Sequence, residues 1–280
     1  MDDAPTPGVY INAKGSPKPH ILNTHDPEPP LTAHPGKKTF IPLENNPAVF
    51  TDLIQRLGIS PQLGFYDIYS LSSPSLLSHI PRPVHALILI SPAAVYHRVR
   101  AHDGPKTPLT YCGSGPDEPV FWSAQTIGHA CGLMALLHSV ANGSAREFVR
   151  SGSLLARLLA AAEPLGPGPR ARVLYDSREL ERAHMAAAVQ GDTVPPSSEE
   201  PNGYHFLSFV KGKDGRLYEL DGSRDGPIDR GLLQPGEDGL SEAALERGVG
   251  RHVAAAEGNL ELSIVALATR PEEERDGDVV

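Results

Sequence analysis

Cysteine is scarce in this chain: 280 residues carry two, Cys112 and Cys131. They could close one disulfide at most, and a chain of this length can bury a core without a staple, so two reduced thiols in a cytosolic or nuclear setting are expected. Long apolar runs are missing too. Nothing approaches the roughly 18 to 20 consecutive apolar residues of a membrane span, and the N-terminus lacks the basic-then-apolar pattern of a secretory leader. Positive charge is in deficit, with 25 Lys and Arg against 34 Asp and Glu and a net charge of −9. That balance disfavours nucleic acid or an anionic membrane as partner and suits a basic one. What is present, 40% hydrophobic and 21% charged residues without internal repeats, is the material of a soluble globular protein with one large core or two modest ones.

Residues 1–38 are rich in proline and histidine and have neither helical nor strand periodicity, so a disordered extension is expected there. His20, His25 and His34 fit no compact ligand set, and no metal is assigned to them. From Thr39 the texture changes. "TFIPLENNPAVFTDLIQRLGI" reads as a short strand, a turn, and a helix capped by Asn46, opened by Pro47 and ending near Gly58. "FYDIYSL" and "HALILISP" are strand candidates, the second apolar enough to be central. A Gly- and Pro-rich loop holds Cys112. Helices are expected over 153–163 and 177–190, separated by "PLGPGP", and strands in "YHFLSFV", "RLYEL" and "LELSIVALA". Between them Gly191 to Gly203, "GDTVPPSSEEPNG", has no apolar periodicity and reads as an exposed loop. The acidic end, 271–280, is expected to fray.

The segment that carries chemistry is "QTIGHACGLMALLHSVANG", Gln125 to Gly143. Leu133, Leu136, Leu137 and Val140 recur at the spacing of one buried helix face, and Asn142-Gly143 is a stop signal, which puts Cys131 at the helix N-terminus. Unpaired N–H groups and the partial positive charge there favour a thiolate and can hold a developing oxyanion. A cysteine nucleophile also needs an imidazole to take its proton, and a carboxylate or amide to orient that imidazole. His129 is two residues away on a turning chain, His138 lies seven residues along the helix, and His79, His97 and His102 sit in or beside polar, loop-like sequence. His205, opening a strand directly after the exposed loop, has the special position.

Asp221 is its candidate partner. If "HFLSFV" and "RLYELD" pair around the five-residue loop "KGKDG", Val210 faces Arg216 and His205 faces Asp221, with Cβ atoms about 4.5–5.5 Å apart. A tight turn at Asp214-Gly215 would instead set Asp221 against Ser208; both registers remain open. Gln125 can supply a side-chain amide to an oxyanion if "TIGHA" curls back, with the Cys131 N–H as second donor.

"QTIGHACG" resembles the active-site signature of the ubiquitin C-terminal hydrolase family, papain-like cysteine-protease deubiquitinases in which Gln, Cys, His and Asp act in that chain order. "IPLENNPAVFTDLIQRLGI", "FYDIYSL", "LLSHIPRPVHALILISP", "HFLSFVKGKDGRLYELDG" and "SIVALA" resemble further blocks, so the similarity runs from about Thr39 to Thr269. The resemblance implies an α+β, papain-like catalytic domain over 39–270, a knotted single domain with a central antiparallel sheet flanked by helices. It implies Cys131 as nucleophile, His205 as general base and acid, Asp221 as its orienting carboxylate and Gln125 as an oxyanion donor. The loop from Gly191 to Gly203 would be a crossover loop above the cleft, and Glu44 and Asp67 would meet the arginines of ubiquitin's tail. The implied activity is thiol-dependent hydrolysis after the C-terminal glycine of ubiquitin or a ubiquitin-like protein, by a cytoplasmic or nuclear monomer with no cofactor, no metal, no nucleic-acid partner and no membrane association. A ubiquitin-binding module with a weak or dead site, or another papain-like acyl-transfer enzyme, are the alternatives. This chain departs from the family pattern at His129, where Asn is usual, at Ala48, where an acidic residue is frequent, and in a His205-to-Asp221 spacing one residue longer.

Overall fold

A computed structural model describes residues 7–11, 17–21, 38–103, 111–192, 203–259 and 261–275. In the head, β1 (Pro7–Ile11) and β2 (Pro17–Ile21) pair antiparallel, with Pro7 opposite Ile21. For these residues the pairing corrects the expectation of no regular structure; proline is tolerated at the first position of a strand, as in both of these. His25 and His34 lie outside the described residues. The strand expected from Thr39 shrinks to a single parallel bridge with Gly128.

Local signals build α1 (Pro47–Leu57). Asn46 is extended and its side chain accepts the Ala48 N–H at 2.9 Å, Pro47 takes the first helical position, and Gly58 closes the helix at φ 102°. Then come β3 (Leu63–Asp67), which starts and stops earlier than "FYDIYSL" suggests, the single turn α2 (Pro74–Leu77), the long strand β4 (Val84–Pro92) and α3 (Ala93–His102). Helix α3 corrects the loop-like reading around His97 and His102: it buries Val95, Tyr96, Val99 and Arg100.

Next are α4 (Cys131–Val140), a 3₁₀ segment (Gly143–Phe148), α5 (Leu154–Ala162), α6 (Pro167–Asp176) and α7 (Arg178–Ala188). Ser153 and Ser177 cap α5 and α7 through side-chain oxygens. "PLGPGP" is not a plain separator, because its Pro167 opens α6 at the position where a missing N–H costs nothing. The rest of the chain gives β5 (Tyr204–Lys211), β6 (Arg216–Leu220), β7 (Ile228–Leu232), α8 (Glu242–Arg247), α9 (Val249–Ala255), β8 (Ser263–Thr269) and α10 (Glu272–Arg275). Within the acidic end, α10 replaces the expected fraying, and Glu274 is tied to the Tyr66 hydroxyl at 2.6 Å.

Six strands form one antiparallel sheet in the order β3-β8-β4-β5-β6-β7, flanked by helices, the α+β architecture expected. Side chains alternate between two cores. Ala86, Ile88, Phe206, Val210, Val265 and Leu267 face the layer of α1, α4, α5 and α7. Leu87, Leu89, Leu207, Phe209, Ile264 and Ala266 face α8, α9 and Tyr96 of α3. Covered on both faces, β4 carries a nearly unbroken apolar run instead of a polar-apolar alternation.

Helix α4 is the centre of the first core. Its sequence suggests one buried face, yet all ten residues are buried, as befits a helix apolar on nearly all sides. Two of its polar side chains bond inside the core: Ser139 shares a 2.9 Å bond with Ser208, and His138 Nε2 accepts the Ser123 N–H at 3.1 Å. Asn142 ends the helix by donating to the His138 carbonyl at 2.8 Å while exchanging two bonds with the Phe121 backbone. No helix among the described residues is long and apolar enough to cross a membrane.

Candidate active site

The turn before α4 is held from outside. Gly128 donates to the Lys38 carbonyl at 2.8 Å and accepts from Phe40 N–H at 2.9 Å, and a Cβ on Gly128 would come within 2.6 Å of the Thr39 hydroxyl oxygen. His129 then takes a left-handed conformation, φ 56°. Few side chains adopt that region, with Asn, Asp and His enriched in it. The Asn-to-His departure from the family pattern therefore keeps a residue type the backbone accepts.

Cys131 is the first residue of α4 and 5% exposed. Burial pushes its thiol up to about 11, while the backbone N–H groups of Phe206, Gly132 and Cys131 itself pull it down. This corrects one expectation: in the resting molecule desolvation outweighs the helix N-terminus, and at neutral pH the sulfur is a thiol. No hydrogen bond joins Cys131 to His205 among the described residues. They are neighbours nonetheless, because Phe206, whose N–H reaches the sulfur, is the residue after His205.

The hairpin that carries His205 and Asp221 follows neither register left open by the sequence. Val210 pairs with Tyr218 and Lys211 with Leu217. Gly212 N–H bonds the Arg216 carbonyl at 2.8 Å, and Gly215 at φ 79° closes a short loop over residues 213–215, the three-residue hairpin with glycine in its left-handed position. Extending this register puts Ser223, not Asp221, across from His205. Asp221 is the diagonal neighbour on the same face, still within reach of a long side chain. The contact forms: His205 Nε2 lies 2.8 Å from Asp221 Oδ1.

Asp221 is 1% exposed and fully engaged. Its Oδ2 accepts the Tyr96 hydroxyl at 2.7 Å, its Oδ1 accepts the Ser223 N–H at 2.8 Å, and its carbonyl accepts Trp122 Nε1–H at 3.0 Å. Burial alone would raise its carboxyl. Bonds from His205, Tyr96 and Ser223 reverse that and hold it well below the usual carboxylate range. An ionised Asp221 is an acceptor only, so the neutral tautomer of His205 that fits this bond has its proton on Nε2 and its lone pair on Nδ1.

Gln125 is locked to the same loop through its backbone. Its N–H donates to the Gly222 carbonyl at 2.7 Å, and a Cβ on Gly222 would sit 3.0 Å from the Gln125 Cβ. Its side-chain Nε2 donates to the Ile127 carbonyl at 3.1 Å, and its buried Oε1 has no partner among the described residues. The "TIGHA" segment thus curls so that the amide bonds the chain's own backbone in the resting molecule.

Glu44 and Asp67 stand elsewhere. Glu44 Oε1 is 3.5 Å from Asn46 Nδ2, and its Oε2 lies where a Cβ on Gly191 would approach to 2.8 Å. Asp67 ends β3, at the sheet edge away from β6, and accepts the Tyr69 hydroxyl at 3.3 Å. Of the expected crossover loop, residues 193–202 lie outside the described residues. Its exit is tied to α3 by the Ala93 N–H, which donates to the Gly203 carbonyl at 2.9 Å. Tyr96, Trp122 and Ser223 are site residues that sequence reasoning missed; only the adjacency of Ser223 to Asp221 offered a signal.

The sequence model of "ubiquitin carboxyl-terminal hydrolase, family 1" matches residues 40–253. A probable ubiquitin carboxyl-terminal hydrolase of Dictyostelium discoideum is 36% identical over 196 residues, covering 70% of this chain and 75% of the relative. The ubiquitin carboxyl-terminal hydrolase of Drosophila melanogaster is 37% identical over 69% of this chain and 82% of its own length. The human isozyme L1 is 32% identical over 68% and 82%. Among solved structures, the catalytic domain of Trichinella spiralis UCH37, bound to ubiquitin vinyl methyl ester, superposes with a TM-score of 0.63 at 21% identity, covering 82% of this chain and 95% of that one. With this fold and these matches, the chain belongs to family 1 of the ubiquitin carboxyl-terminal hydrolases, enzymes of the cysteine peptidase class.

Proposed function

We propose that this deubiquitinase hydrolyses the amide or ester that follows the C-terminal glycine of ubiquitin or a ubiquitin-like protein, through an acyl-enzyme on Cys131. The observation that carries the reading is the His205–Asp221 bond, which leaves Nδ1 bare on the residue next to Phe206, whose N–H reaches the sulfur. In the reaction Nδ1 takes the thiol proton as sulfur attacks the scissile carbonyl, and Asp221 stabilises the imidazolium. The oxyanion of the tetrahedral intermediate accepts the Cys131 N–H and the Gln125 amide, which leaves the Ile127 carbonyl to reach it. His205 returns its proton to the leaving amine or alcohol, the thioester remains, and water repeats the cycle to free the carboxylate and restore the thiol.

Selectivity for glycine would be steric, since a cleft narrow enough for paired glycines rejects any side chain. Glu44, Asp67 and the overall negative charge suit a partner whose tail carries arginines. The segment 191–203 would limit the leaving group from above. Its ends adjoin Glu44 on one side and Ala93 on the other. A second reading, a ubiquitin-binding module that turns over little, draws on the protonated thiol and the inward-turned Gln125 amide.

Hydrolysis of a fluorogenic ubiquitin amide separates the two. The enzyme reading expects turnover that disappears in Cys131→Ala while ubiquitin affinity survives. Affinity without turnover in the parent would support the binding module, and hydrolysis persisting in purified Cys131→Ala would refute the nucleophile. Matched amides of ubiquitin-like proteins rank the substrate.

A further inference from the structure

We infer that Tyr96 is a positioning residue of the catalytic machinery, holding the Asp221 carboxylate and the His205 ring in the one arrangement that leaves Nδ1 free for the sulfur. The inference rests on the reading of His205 as general base. Two separate contacts converge on it. The Tyr96 hydroxyl donates to Asp221 Oδ2 at 2.7 Å, and the Tyr96 ring packs against the imidazole at 4.7 Å between centroids, tilted by 56°. Were Oδ2 unoccupied, a buried carboxylate oxygen would lack a donor and the group could rotate to share His205 between both oxygens. With the hydroxyl on Oδ2 and the Ser223 N–H on Oδ1, the carboxylate plane is fixed, and the ring limits how far the imidazole can swing.

Tyr96 is itself held by ties reaching β6, the strand that leads into Asp221. The Arg100 guanidinium lies 5.1 Å from the centre of the Tyr96 ring and is paired with Glu219 and, at 3.0 Å, with Asp103. Glu219, in β6 and two residues before Asp221, also binds Arg230 at 2.6 Å, and Arg230 returns to Asp103 at 2.9 Å. Each of these four charged side chains is at most 9% exposed. Truncating one member would strand a buried charge, so the network ties α3 to β6. Burial, then the nearby Asp221, push the Tyr96 hydroxyl up to about 12, keeping it a donor at every physiological pH.

Two variants divide the role: Tyr96→Phe removes the hydroxyl and keeps the ring, and Tyr96→Leu removes both. Tyr218→Phe is the control, because it deletes a 2.8 Å tyrosine bond to Asp214 in the hairpin loop. With the fluorogenic ubiquitin amide, Tyr96→Phe is expected to lose roughly five- to tenfold in kcat with KM held within about twofold, the equivalent of one buried hydrogen bond. Tyr96→Leu should lose about tenfold more, and Tyr218→Phe should match the parent. The second readout needs no ubiquitin: the low-field NMR resonance of the His205 Nε2 proton should exchange with water faster in Tyr96→Phe than in the parent. Unchanged kcat with unchanged exchange, or a lower melting temperature with neither altered, would assign Tyr96 to packing alone and overturn the inference. A parent that fails to turn over the amide refutes the functional reading instead, and proton exchange then decides Tyr96 by itself.

Discussion

The two halves of the site are built differently. On the sheet side, His205 and Asp221 are bonded to each other and to Tyr96 and Ser223, and an ion network of Arg100, Asp103, Glu219 and Arg230 braces the elements behind them. On the helix side, the Cys131 sulfur is a buried thiol without a bond to His205, and the Gln125 amide is spent on its own backbone. The first half is already hydrogen-bonded in the resting molecule; the proposed reaction requires the second to rearrange when a scissile carbonyl enters. The difference follows from charge. An ionised carboxylate at 1% exposure cannot wait for its donors, whereas a neutral thiol and a neutral amide tolerate burial with modest partners.

Substitution on the sheet side has the most severe expected effect. Asp221→Asn keeps the shape but gives up the charge that fixes the His205 tautomer, and kcat/KM should fall by about 10²–10⁴-fold, the span of general acid-base catalysis. A loss under about tenfold in steady-state assays would mean that the carboxylate does not orient the base. From the helix side, Gln125→Ala should cost about 10²–10³ in kcat with KM little changed, because the role proposed for the amide is on the oxyanion alone. Parent-like kcat would mean that the amide stays on Ile127 throughout the reaction.

A different effect concerns the frame both halves share. Burial holds His138 and His184 neutral, with values lowered to about 4, and His252, depressed by burial and then by Arg100, to about 3. The unfolded chain binds these protons near pH 6.5 and the folded one does not. Stability is therefore full above that pH and falls as pH drops toward 4, by about 1.4 kcal/mol per pH unit for each histidine. Asp221 adds its loss only below about pH 4, where unfolded carboxylates take up protons. Urea midpoints should decline steadily between pH 6.5 and 4.5; a flat profile would contradict the neutral burial of these rings.

Features fixed by neighbouring residues could be read from the sequence. Asn46, Pro47 and Gly58 bound α1 as expected, Cys131 opens α4, and Asn142 ends it, because caps and stops are local. Whether His205 and Asp221 share a face was only half legible, since a five-residue loop puts them on one face and a tight turn on opposite faces. The register was not: Gly215 in a left-handed turn draws the hairpin two residues tighter than a five-residue loop would. Helix α3 escaped notice because its buried side includes Arg100, whose burial is compensated by Glu219, 119 positions away. Tyr96 went unseen with it. Likewise α6 begins in a proline-rich stretch and buries Arg170 against Glu118 and the Trp122 carbonyl, partners that no periodicity reveals.

The role proposed for the pre-built His205–Asp221 pair is to drive Cys131 to nucleophilicity. Ubiquitin bearing a C-terminal electrophile, followed by mass mapping of the adduct, tests it most directly. One adduct is expected, on Cys131, with none on the exposed Cys112, and a labelling rate that collapses in Asp221→Asn. Labelling of Cys112, or of Cys131 at the parent rate in Asp221→Asn, would contradict it.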